Sequence, residues 1–266
     1  VLSLYYTIDG VTYGPDHEEE MPAKTFYQQM RNGSMPKTQQ VNPDQAIRRF
    51  REILQQGKDI LHISLTSAVS GSYNSACMAA EELREEFPER TITVIDTLVG
   101  TLAQGMIVDK SVQMKKAGKS LQEITSWIKE NIPHFCLYAT VDDLKHLYRG
   151  GRVSKTTAFL GTAIGIKPIL KLNEEGNLVP IAKVRGRKQS IQTLVKYMEE
   201  HVGSFLKEND TIYISHGDCE EDAKYLAELV KEKFGIMKSM INHIGPVIGS
   251  HAGPGALALS FMGENK

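Results

Sequence analysis

The sequence predicts an α/β protein of two α/β domains, residues 1–140 and 141–266, the first with a largely parallel sheet and the second with a mixed one. Two observations carry this. Short runs of β-branched and large apolar residues alternate with stretches of helical periodicity through the first half. After Thr140 the pattern changes, with a hairpin, a long amphipathic helix and then further strand and helix segments.

Leu4–Tyr13 places Asp9-Gly10 between two strand-like runs, as a type I′ hairpin requires. Pro22 to Met30 and Pro43 to Gln56 each begin with Pro at a first helical position, and Gly33 and Gly57 stand where each helix would end. Between them MPKTQQVNP reads as a loop, in which Thr38 on local grounds is a turn residue.

Ile60–Leu83 reads as strand, hydroxyl-rich turn and helix. Ile60, Leu61, Ile63 and Leu65 suit a buried strand, while Tyr73, Ala76, Cys77, Ala80, Leu83 and Phe87 recur at helical spacing until Pro88. Such a turn leaves the first N–H groups of the helix unpaired at the positive end of its dipole. With Thr66, Ser67, Ser70, Gly71 and Ser72 around it, the opening suits an anion. The alternative reading is that Ser70 or Ser72 simply caps the helix.

Glu89–Asp96 is a second buried-type strand, and Leu102–Lys116 a helix ended by Gly118. Ser120 and Glu123 form a capping box for the helix carrying Ile124, Trp127 and Ile128, followed by a strand at Phe135–Ala139. In the second half a short helix at Leu144–Tyr148 meets Gly150-Gly151-Arg152, and residues 156–164 form a small-residue apolar segment. Lys167–Leu172 and Leu178–Val184 flank a glycine-containing hairpin loop. The helix that follows shows Ile191, Leu194, Val195, Met198, Val202 and Phe205 on one face. Thr211–His216 and Ile236–His243 are strands around a helix at Glu221–Phe234. The glycine- and proline-rich run about His251 reads as an irregular loop, where dense glycine points to close approach of another group.

Net charge is −1, and no dense Lys/Arg patch argues for nucleic acid. Cys77, Cys136 and Cys219 fit neither a disulfide framework nor a zinc site. No run of about 18 apolar residues exists to span a bilayer. The expectation is a cytoplasmic monomer.

Four stretches together resemble the DegV family of bacterial fatty-acid-binding proteins: PKTQQ at 36–40, SLTSAVSGSYNSA at 64–76, LYRGGRVS at 147–154 and IGPVIGSHAGPGA at 244–256. The order of motifs is the family's. Gln39, Ser72 and Thr97 depart from its usual residues by polar swaps of similar size, and the family's opening strand and Asp-Ser loop are not seen ahead of the hairpin.

The resemblance implies one long-chain fatty acid, such as palmitate, stearate or oleate, held between the two domains with its tail buried. Thr38 and Ser70 would donate to the carboxylate beside the Gly71 N–H, His251 would complete the grip, and Arg187 would stand close by. Arg152 would brace the GGR turn. Some fifteen buried methylenes at about 0.8 kcal/mol each would give on the order of 12 kcal/mol before immobilisation costs. Met78, Met106, Met114 and Met198 offer adaptable walls for the tail.

The family's implied role is a carrier without turnover or cofactor, presenting the acid to a fatty acid kinase. The chain holds no P-loop, G-x-S-x-G elbow or H-E-x-x-H. The alternative is an acyl hydrolase with Ser70 as nucleophile and His251 as base, which needs an orienting acid such as Asp96.

Overall fold

A computed structural model describes residues 1–14, 21–154 and 165–266. The small-residue segment expected at 156–164 lies outside the described residues. Strands β1 (Tyr5–Ile8) and β2 (Val11–Tyr13) form the expected hairpin, with Asp9 and Gly10 at φ 49° and 84°. Both central residues of a type I′ turn need positive φ, which is why Asp-Gly sits there. Helix α1 (Ala23–Arg31) buries Phe26, Tyr27 and Met30 against this hairpin.

The loop expected at 35–43 is in part a strand. β3 (Lys37–Gln39) pairs antiparallel with β1, setting Thr38 opposite Tyr6. Three polar residues carry no strand signal of their own, and the free edge of β1 supplies the pairing. Helix α2 (Pro43–Leu54) begins with Pro43 behind a capping box of Asn42 and Gln45. β4 (Ile60–Ser64) and β5 (Ile92–Asp96) make a parallel pair, covered by α2 and by α3 (Ser72–Glu86) through a core that includes Phe50, Leu54 and Leu83.

Helix α4 (Thr101–Lys116) and helix α5 (Leu121–Asn131), the latter with the Ser120–Glu123 capping box, follow. The sequence places β6 (Phe135–Thr140) at the end of the first domain's sheet. It is instead an inner strand of a six-stranded mixed sheet. The other strands are β7 (Ile166–Leu172), β8 (Leu178–Arg185), β9 (Thr211–His216), β10 (Lys238–His243) and β11 (Leu257–Met262), in the order β10-β9-β11-β6-β7-β8. Only β9 and β10 run parallel there.

One face of this sheet packs on α7 (Arg187–His201) and α8 (Glu220–Phe234), burying Leu194, Met198, Leu226 and Leu259. The opposite face packs on α4 and α5 through Met106, Ile107, Ile128 and Phe135. Every β11 residue is buried because it sits between these two layers. α6 (Lys145–Arg149) and α9 (Pro246–Ala252) lie together at one end.

The second difference from the sequence reading concerns α9. His251 is in this helix and not in a loop: Gly245 precedes it, Pro246 takes its first position and Gly253, at φ 80°, ends it. Those are the start and stop signals of a helix, compressed into seven residues where they resemble loop punctuation.

Candidate functional site

A cavity of about 530 Å³ opens on the face of the six-stranded sheet nearest α6 and α9. Its floor is built from inward-facing residues of three strands, among them Leu137 and Ala139 of β6, Leu170 and Leu172 of β7 and Ala258 of β11. On β6 and β7 alternation presents every second residue to the chamber. Leu147, Val247 and Ile248 add apolar walls.

At its mouth the cavity is polar. Thr38 comes from β3, Ser70 from the turn before α3, His251 from α9 and Arg152 from the turn after α6. Thr38 Oγ1 and His251 Nε2 share a hydrogen bond of 2.9 Å. Ser70 Oγ accepts the Ser72 N–H at 3.3 Å and pairs with Ser72 Oγ at 3.0 Å. Ser72 Oγ in turn accepts the Val41 N–H at 3.1 Å, tying the turn to the segment after β3. Ser70 therefore supports the opening turn of α3 and lines the cavity at once.

Two glycines place His251. A Cβ on Gly150 would fall 2.0 Å from His251 Nδ1, so the imidazole lies directly against this backbone. Gly249 brings α9 onto α1, where a Cβ would meet Tyr27 Oη at 2.5 Å, and that hydroxyl donates to Ile244 O at 2.6 Å. His251 Nδ1 is buried with no hydrogen-bond partner among the described residues. Burial, helped by the charge of Arg152, pushes the imidazole down to about 4 from the ordinary 6.5, so it is neutral at neutral pH.

Arg152 does brace its own turn, donating to Gly150 O, and it does more. Its Nε and Nη2 donate to Val69 O at 3.1 and 2.8 Å, linking the α6 end to the serine turn across the mouth. All three bonds go to backbone carbonyls. The sequence reading gave Arg152 no place in the site, since only its contact with Val69 reveals one. Gln39 and Gln40 also line the mouth and were not foreseen.

Other expectations need correction. The Gly71 N–H donates to Gln40 Oε1 at 3.0 Å, so this donor is already engaged. Arg187 opens α7 outside the cavity, donating to Asp222 Oδ2 at 2.8 Å and to Cys219 Sγ at 3.3 Å. The carboxylate of Asp222 holds it there. No methionine lines the cavity: Met78 is 57% exposed, while Met106 and Met198 are wholly buried in the cores on the two faces of the sheet. Strand residues took the walls because the sheet itself is the floor.

Asp96 accepts the N–H groups of Ser67 and Leu98, each at 3.1 Å through Oδ1. It organises the loops after β4 and β5 and is not the partner of His251 Nδ1, which faces Gly150. Among the described residues no group of three or more His, Cys, Asp or Glu is placed to hold a metal ion, and no helix is long and apolar enough to cross a membrane.

Fold and cavity together define a class: α/β proteins in which a mixed sheet floors an apolar chamber whose mouth is ringed by hydroxyls, an imidazole and a guanidinium. The chain belongs to the DegV family of uncharacterised proteins, whose model matches residues 1–264. It is 44% identical over 265 residues to a DegV domain-containing protein of Clostridium perfringens, covering 100% of this chain and 90% of that one. A fatty-acid-binding DegV family protein from Thermus thermophilus is similar in structure, with TM-score 0.84 at 28% identity over 98% of this chain and 91% of that one. A stearic-acid-binding protein from Eubacterium ventriosum gives TM-score 0.85 at 25% identity, covering 99% and 90%.

Proposed function

We propose that this protein binds one long-chain fatty acid, its tail in the sheet-floored cavity and its carboxylate at Thr38, Ser70 and His251. The observation that carries this is the Thr38–His251 pair with Ser70 at the polar mouth of an otherwise apolar chamber. A volume of about 530 Å³ falls inside the roughly 300–1,000 Å³ of small-molecule sites. A carboxylate leaving water needs several donors. The Thr38 and Ser70 hydroxyls supply them, with the neutral imidazole of His251 orienting Thr38 through Nε2 and the Arg152 guanidinium behind. The Gly71 N–H joins only if the Gln40 side chain swings away. With residues 1–140 and 141–266 as the two halves, the first contributes Thr38 and Ser70 and the second His251 and Arg152. The named ligands of the similar solved structures support the choice of ligand class.

In this reading the protein is a cytoplasmic monomeric carrier that presents the carboxylate to a fatty acid kinase and turns nothing over itself. The hydrolase alternative draws little from the geometry. His251 Nε2 is engaged with Thr38, and its Nδ1 faces Gly150 where a triad would place an acid.

The test is to denature protein purified from cells and analyse the extract by mass spectrometry. One equivalent of palmitate, stearate or oleate is expected. An empty protein that hydrolyses short esters, with the activity lost in Ser70→Ala, would favour the hydrolase. For the carrier step, addition of a fatty acid kinase and ATP to the loaded protein should yield acyl phosphate, with His251→Ala slowing this more than it weakens retention of the acid.

A further inference from the structure

We infer that Leu137, Leu172 and Leu178, locked in place by the Thr66–Gly176 contact, form the end wall of the cavity and set the longest acyl chain it accepts. This rests on the fatty acid reading above and adds the determinant of chain length. The direction of the chamber follows from strand register. Val141 of the post-β6 segment clusters with Leu147 and Ile244, beside the α6 and α9 ends that carry Arg152 and His251. Leu137 and Leu172 belong instead to the core under α4 and α5. From Val141 back to Leu137 is four residues of extended chain, about 13 Å. The head therefore lies beyond Val141, at Thr38 and His251, and the tail runs from there towards the Leu137 level.

Along this path the floor changes in size. Ala258, Ala139 and Leu170 stand in one row across β11, β6 and β7, and all three line the cavity. Two alanines in that row leave room above them. The next inward-facing positions on β6 and β7 are Leu137 and Leu172, and Leu172 pairs across the hairpin with Leu178. Three leucine side chains rise where the alanines stop.

The hairpin that carries Leu172 and Leu178 is not free to move. Gly176 at its tip has φ 77°, and a Cβ there would fall 2.1 Å from Thr66 Oγ1 and 3.1 Å from Leu98 Cα. Thr66, itself lining the cavity, donates from Oγ1 to Gly176 O at 3.1 Å. Only glycine allows both that backbone conformation and this approach. The contact joins the loops after β4 and β5 to the sheet and shuts the chamber behind the leucines.

The experiment measures displacement of a fluorescent fatty acid by laurate, palmitate and arachidate in the wild type and in variants. Leu172→Ala should raise the affinity for arachidate relative to palmitate by about tenfold, since it removes the wall against which the longer tail clashes. Ala139→Leu, which adds bulk one row nearer the mouth, should shift preference the other way, towards laurate. Should Leu172→Ala not fold, as judged by its circular dichroism melt, Leu172→Val and Ala139→Leu decide the matter. Opposite shifts in these variants support the wall. An unchanged chain-length profile in variants that still bind palmitate overturns it while leaving the fatty acid reading intact. Failure of the wild type to bind any of the three acids overturns both.

Discussion

Thr38 Oγ1 and His251 Nε2 stand 2.9 Å apart although 213 residues separate them in the chain. The bond ties the edge strand β3 to helix α9 across the mouth of the cavity. Thr38→Val keeps the shape and the backbone pairing of β3 while removing the hydroxyl. Hydrogen bonds to charged groups contribute about 1.5–3 kcal/mol, so Kd for palmitate should rise roughly 10- to 150-fold. Ser70→Ala should act in the same direction. Titration of both variants against palmitate checks this, and unchanged affinity in the double variant would remove the site.

Gly150→Ala tests the placement of His251. Gly150 has φ −75°, which any residue adopts, so backbone strain is not at issue. The added methyl would sit 2.0 Å from His251 Nδ1 and must push the ring off Thr38. Palmitate binding is expected to fall as far as in His251→Ala, measured in the same titration.

Arg152→Lys keeps the charge and loses the fork. Val69 O would lose two donors, and a single ammonium cannot serve it and Gly150 O with the same geometry. A loss of about 1–3 kcal/mol is expected, seen as a Tm lower by several degrees in thermal melts. Acid binding should weaken as the serine turn loosens.

His251 also implies an acid sensitivity. Its folded value of about 4 lies below the ordinary 6.5, so the unfolded chain takes up the proton first as pH falls. Stability associated with this group is complete above about pH 6.5 and declines down to about pH 4. Burial lowers His62 to about 4 as well, and also lowers His146 and His216. Ligand-free wild type should thus lose Tm between these limits, and His251→Gln should lose less of it over the same range.

Much of the fold was legible because its signals are local. Asp9-Gly10, the Ser120–Glu123 box and the apolar runs at β4, β5 and β9 each state their own structure within a few residues. The strand at Lys37–Gln39 was not legible, because three polar residues become a strand only beside β1. Nor was the place of β6. A run such as FCLYAT announces a buried strand and says nothing of which sheet will bury it.

The candidate site divides in the same way. The kinds of group available are written in the chain: a hydroxyl-rich turn ahead of a helix, a threonine before α2, a histidine among glycines, and motifs in the order of one family. Which of them meet is settled by packing. It drew Thr38 to His251, added Arg152, Gln39 and Gln40, engaged the Gly71 N–H with Gln40, and held Arg187 outside against Asp222. It also gave the cavity strand alanines and leucines for a floor in place of methionines. Periodicity and caps act over one or two turns of chain, whereas a site made by packing two distant segments depends on contacts that no local pattern encodes.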